Sequence, residues 1–174
     1  MMRDASDVAA DSAILSNFTW EDIDKKTFAG YRRRYQTQHP DLPWIAYDDQ
    51  RFLEAIGGFR RDRVSGEEGI TVAGLLLAGT PQAIREWRQR HLIDYRLVPA
   101  SADSDSRWED RVAWEGNLLD AFDAIYPRLT SDLPTPFRLE GTTRVDQSPV
   151  HVAFREALVN LLVHADYAEP QTSL

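Results

Sequence analysis

An α+β fold is the class this sequence predicts: a single mixed domain of four to five helices with a small sheet. Segments of helical periodicity and segments of β-type alternation both occur, and they do not alternate strictly along the chain as a parallel α/β sheet requires. The 174 residues match the usual size of one domain, and 43% apolar with 10% aromatic residues suffice to bury a core.

Taken in order, residues 1–16 are small and acidic without periodicity, and are expected to form a flexible tail or linker. Thr19 with Asp22 three residues later makes an approximate capping box. Trp20, Ile23, Phe28, Tyr31 and Tyr35 follow at helical spacing and predict a helix over residues 20–35. Arg32, Arg33 and Arg34 then fall near its end, where the helix dipole favours cations, and read as a solvated patch. Beyond Pro40 and Pro43, Asp48 or Asp49 caps a short helix carrying Phe52, Leu53 and Ile56, which Gly57-Gly58 stops. Residues 59–69 read as a charged loop, and the apolar run 72–79 is too short for periodicity to classify. Thr80-Pro81 opens a helix carrying Ile84 and Trp87. Segments 91–100 and 107–116 alternate apolar and polar residues and predict strands around an acidic loop, 100–106. Leu118, Leu119, Phe122, Ile125 and Tyr126 form the stripe of a further helix. Pro134 and Pro136 punctuate a loop, residues 137–141 suggest a strand, and Pro149 precedes a last helix over residues 150–165.

Composition closes several functional classes. No apolar run reaches the roughly 18 residues of a spanning helix, so no membrane partner is expected. The first residues have no apolar core of secretory type. With no cysteine there is no disulfide, thiolate metal site or cysteine nucleophile, in keeping with a cytoplasmic protein. A net charge of −8 argues against the whole chain gripping DNA, because such binding rests on phosphate neutralisation. His39, His91 and His151 are isolated in sequence, and the glycines of residues 69–79 follow neither common nucleotide-binding order.

The last helix holds the candidate chemistry. At about 100° per residue, Phe154, Leu158, Leu161 and Ala165 fall on one side, the expected core stripe, with Glu156, Asn160 and His164 opposite. A carboxamide oxygen can ligate Mg²⁺, and a carboxylate one turn away can activate a water. The same stripe is also the wet face of any surface helix.

Residues 154–167, FREALVNLLVHADY, resemble the "REAlvNAlvHRDY" stretch of a bacterial and archaeal family described as transcriptional regulators or RecG-related ATP-dependent helicases. Residues 70–79, ITVAGLLLAG, are similar to that family's upstream "lTnAGlLlFG" segment, and order and spacing agree over residues 45–167. Proteins of that family place a Schlafen-like AlbA domain before a connecting domain, then a divergent ATPase region of the gyrase/histidine-kinase/MutL (GHKL) type and a winged helix. The resemblance implies that residues 17–149 are a connecting α+β domain and residues 150–174 the start of the ATPase-like region. It makes Glu156 the general base that polarises the attacking water, and Asn160 the ligand of Mg²⁺ in a Mg-ATP site. The sequence departs from the pattern at Ala165, where the family has Arg, and at Leu161, where it has Ala.

The remaining boxes of that superfamily, an Asp-x-Gly segment and Gly-rich loops, would follow this helix, so the expectation is no cofactor and no hydrolysis for these residues alone. ATP and Mg²⁺ then belong to the full-length protein. The expected partners are the adjacent domains of a regulator, with DNA contacted through those domains, and a homo-oligomer is open. One alternative is a share in a working ATPase completed by further sequence or a second subunit. Another is a protein-interaction module, since five Trp, six Tyr and seven Phe exceed what a small core requires.

Overall fold

The computed structural model describes residues 10–99, 107–134, 138–140, 143–145 and 148–167. The acidic loop 100–106, residues 1–9 of the expected tail, Pro136 and the ends of the 137–141 strand lie outside them. The chain is α+β, and its described elements comprise six α-helices and seven short strands. It divides into two compact units, one built from residues up to Leu92 with Glu115–Asp120, the other from Ile93–Trp114 with residues from Ala121 onward. No helix among the described residues is long and apolar enough to cross a membrane.

In the first unit, strand β1 (Ile14–Leu15) lies inside the stretch read as a tail. It pairs antiparallel with β3 (Glu68–Thr71), which pairs on its other edge with β2 (Phe59–Arg61), giving the order β1-β3-β2. The charged loop expected at 59–69 is therefore a hairpin. Its charges sit on exposed positions, with Arg61 bonded across the strands to Glu68, so alternation is hidden by ionic residues on the open face. Asp62 accepts hydrogen bonds from the backbone of Val64 and Ser65 at 2.7 and 3.0 Å and shapes the turn.

The Thr19–Asp22 capping box forms, but it closes a one-turn 3₁₀ helix, Trp20–Asp22. The long helix α1 starts later, at Lys25 behind the N-cap Asp24, and runs to Gln38. Its three arginines consequently sit mid-helix, away from the C-terminal dipole. Helix α2 (Asp49–Ala55) is capped by Asp48 and ends at Gly57, whose φ of +82° is a left-handed conformation that favours glycine. The apolar run 72–79 resolves as helix α3 (Val72–Ala78) with Thr71 as N-cap, and α4 (Pro81–Trp87) follows with Thr80 as N-cap and Pro81 at its first position. Ile23, Phe28, Phe52, Leu53, Ile70 and Leu75 are at most 1% exposed and belong to one core cluster.

Glu115–Asp120 joins this unit by hydrogen bonds. The fully buried Asn117 accepts from the Asp120 backbone at 2.8 Å and donates to the Gly79 carbonyl at 3.1 Å. Thr27 on α1 donates to the Asp120 carboxylate at 2.9 Å. Nearby, His91 Nε2 lies 3.1 Å from the Gly116 carbonyl oxygen, and burial pushes the imidazole below its ordinary pKa.

The second unit contains a hairpin of β4 (Ile93–Leu97) and β5 (Asp110–Trp114), as the alternation predicted. Arg96 and Arg111 are direct cross-strand partners, a like-charge pair that is unfavourable alone. Asp94 accepts from both, and these bonds hold its carboxyl at about 2. The guanidiniums of Arg96, Arg107 and Arg111 lie 5.0–5.3 Å from the Trp108 ring centre. Helix α5 (Leu118–Thr130) starts in the first unit and continues into the second, carrying Pro127 within its last turn. Strands β6 (Arg138–Glu140) and β7 (Thr143–Val145) form a two-stranded ribbon, and the last helix, α6, spans Pro149–His164 with Pro149 at its first position.

Two stability predictions follow from the first unit. A Cβ on Gly74 would overlap the Gly58 carbonyl oxygen and come within 2.8 Å of its Cα, whereas one on Gly57 meets nothing within 4 Å. In urea unfolding, Gly74→Ala should lose about 3 kcal/mol, and Gly57→Ala about 1–2 kcal/mol from its backbone conformation alone. Because the folded-state pKa of His91 is lowered, its contribution is complete above the unfolded value of about 6.5 and is lost as pH falls through the folded one. The thermal midpoint of His91→Gln should therefore fall less than that of the wild type between about pH 7 and pH 5.

Candidate functional site

Helix α6 is fixed at both ends by its own sequence. The Ser148 hydroxyl lies 2.8 Å from His151 Nδ1, and the Ser148 backbone donates to the same nitrogen at 3.3 Å, a reciprocal cap with histidine in place of the usual Glu. The Tyr126 hydroxyl of α5 donates to the His151 carbonyl at 3.2 Å. Tyr167 folds back so that its hydroxyl donates to the Leu162 carbonyl at 2.6 Å, one of the orphan acceptors of the helix end. Burial lifts that phenol to about 12.

Between these anchors the helix is rotated from the expected orientation. The buried residues are His151, Leu158 and Leu162, with Arg155 half-buried beside them. Of the expected stripe, Leu158 alone is buried: Phe154 and Ala165 are exposed and Leu161 is 67% exposed. The buried line is turned by roughly 60° from the predicted one, taking 100° per residue. Every third or fourth position of α6 is apolar on more than one line, so several choices of inner face satisfy the pattern equally.

The rotation leaves two open apolar flanks. Val150, Phe154 and Leu161 lie along one side of the buried line, and Val152, Val159 and Val163 along the other, all exposed. Between these flanks, opposite the buried line, run Glu156, Asn160 and His164, exposed at i, i+4 and i+8 as predicted. The Glu156 carboxylate is 3.1 Å from the Arg155 guanidinium, an exposed contact of adjacent residues and weak as an ion pair. Glu156 and Asn160 offer oxygen donors one turn apart, the type Mg²⁺ takes. The structure thus brings the two predicted residues to one edge of one helix.

One signal that sequence reasoning missed is Arg32. Read as part of a solvated patch, it turns inward from α1, pairs with Asp49, and donates to the carbonyls of Tyr47 and, at 3.1 Å, Ile45. Its guanidinium lies 5.6 Å from the Phe52 ring centre. Three consecutive arginines on a helix cannot all face water equally, and the neighbouring core positions Phe28, Tyr31 and Tyr35 place Arg32 nearest the inward side.

The fold and site together define a mixed α+β protein with an exposed Glu-Asn edge on its last helix. The chain belongs to the DUF8451 family, a domain of unknown function, whose model matches residues 1–97. No curated protein and no solved structure matches it. The family-matched stretch covers the β1-β3-β2 sheet and helices α1–α4, while α6 lies beyond it.

The orientation of α6 makes a prediction. Leu158→Ala should cost about 2–4 kcal/mol in urea unfolding, the price of a buried cavity. Leu161→Ala should stay within about 0.5 kcal/mol of wild type. A reversal of these two values would restore the predicted stripe.

Proposed function

We propose that this chain is a connecting, non-catalytic domain of a DNA-binding transcriptional regulator, carrying on α6 the first part of a nucleotide site. The observation that carries the reading is the exposed edge of Glu156 and Asn160, bordered by apolar flanks that neighbouring sequence or a second subunit can cover. The family resemblance of residues 154–167 supports the assignment of Glu156 as base and Asn160 as Mg²⁺ ligand. The oxygen donors and their spacing fit that group, which when bound supplies charge neutralisation at the phosphates. Asn160 would orient the metal, and Glu156 would hold a water.

In this reading DNA is gripped by adjoining domains, in accord with the net charge of −8. The protein works in the cytoplasm. Its role is to hold the nucleic-acid module and the nucleotide module in register.

Calorimetric titration of Mg-ATP tests this. The 174-residue chain should turn over no ATP, and a polypeptide that also carries the adjoining domains should bind Mg-ATP. In the longer form, Asn160→Ala should abolish binding without changing the circular dichroism spectrum. Unchanged affinity in that variant would remove the site, and hydrolysis by the 174-residue chain would replace the connecting role with an enzymatic one.

A further inference from the structure

The first unit carries a groove that draws on nothing in α6. A one-turn 3₁₀ helix, Pro43–Ala46, crosses beside α2, and between them lies an open groove of about 400 Å³ lined by Trp44, Tyr47, Arg51, Glu54 and Ala55. That volume falls within the roughly 300–1,000 Å³ of small-molecule sites. Trp44 is half-buried and packs on the core, while Tyr47 is 38% exposed, so the two rings form one anchored and one open wall.

Two features distinguish this groove from an ordinary surface dent. The first is its charge. Arg51 and Glu54 stand one turn apart on α2, and neither takes part in an ion pair among the described residues. A guanidinium and a carboxylate are thus both presented to the groove with their bonding capacity open. The second is rigidity. Arg32, only 17% exposed in its side chain, fastens the carbonyls of Ile45 and Tyr47 from behind and pairs with Asp49 at the start of α2. Its Nε is buried without a partner, a desolvation cost incurred to fix the segment that presents the two aromatic residues. A wall held in advance loses less ordering entropy when a ligand arrives.

We infer that this groove binds a small amino-acid-like zwitterion with an apolar or aromatic body. Its carboxylate meets the Arg51 fork, its ammonium meets Glu54, and its body lies against Trp44 and Tyr47 over Ala55. A singly charged ligand engages only one of the two groups, so the selectivity is for the zwitterion. The site lies wholly in the family-matched stretch.

The test is a titration of the full chain, ¹⁵N-labelled, with L-phenylalanine, 2-phenylethylamine and 3-phenylpropionate. The indole N–H resonance of Trp44, assigned from Trp44→Phe, reports occupancy. L-phenylalanine should give a saturating shift with a Kd of about 1 mM or below, and each singly charged analogue should bind about tenfold more weakly. Arg51→Gln should erase the preference over 2-phenylethylamine, and Glu54→Gln the preference over 3-phenylpropionate. Both side chains are exposed, and an unchanged thermal midpoint confirms that each variant folds. No saturation by about 20 mM, equal binding of all three compounds, or preferences unchanged in the two variants would each overturn the inference.

Discussion

The Gly57–Gly58 turn lies against the first turn of α3 so closely that its Cα and carbonyl leave no room for a side chain at Gly74. That contact sets the geometry of the first unit. Thr71 completes it: its backbone donates to the Gly58 carbonyl at 3.1 Å and its hydroxyl donates to the Gly57 carbonyl at 2.8 Å while accepting from Gly74 at 3.1 Å. One residue thereby ends β3, caps α3 and holds the end of α2. With the strand fixed on both edges, α3 starts at a defined angle and delivers Leu75, Leu76 and Ala78 into the interior. The Thr71-x-x-Gly74 pattern within residues 70–79 is thus a packing device.

Much of this was legible from the residues. Caps with one competent side chain, such as Asp48, Thr80 and the Thr19–Asp22 box, were identifiable because the chemistry is local. The β4–β5 strands were legible because one face of each is apolar. The β2–β3 hairpin was not, since its open positions carry Arg60, Arg61 and Glu68, and the hydrophobic alternation shrinks to Ile70 and its neighbours. The short strand β1 is equally opaque: Ile14-Leu15 gains its structure by pairing with an edge formed more than fifty residues later.

The site was legible in composition and only partly in orientation. Glu156, Asn160 and His164 share an exposed edge because spacing alone dictates it. The inner face of α6 was not decidable by spacing, because apolar residues surround the helix nearly all the way round. What chose the face is a polar event: His151, drawn inward by its reciprocal cap with Ser148 and by the Tyr126 hydroxyl on its carbonyl, selects the line through Leu158 and Leu162. A hydrophobic count gives no weight to a histidine, so it favours the wrong line.

Arg32 shows the same limit from the other direction. A charge run is ordinarily a solvated face, and Arg33 and Arg34 conform to that rule in being exposed. Arg32 departs because two backbone carbonyls, one carboxylate and one aromatic ring converge on it from the Pro43–Phe52 segment, a set of partners no window of helix sequence contains. A partly buried guanidinium is retained at a cost only where its bonds fix something that hydrophobic contact cannot, and here it takes up backbone carbonyls that a one-turn 3₁₀ helix leaves without partners of its own. The segment it fixes is the one that offers Trp44 and Tyr47 to solvent. The matched family stretch includes the pinned turn and α2 and stops before α6, so the groove beside Arg32 and the Glu156–Asn160 edge are built from separate parts of the chain.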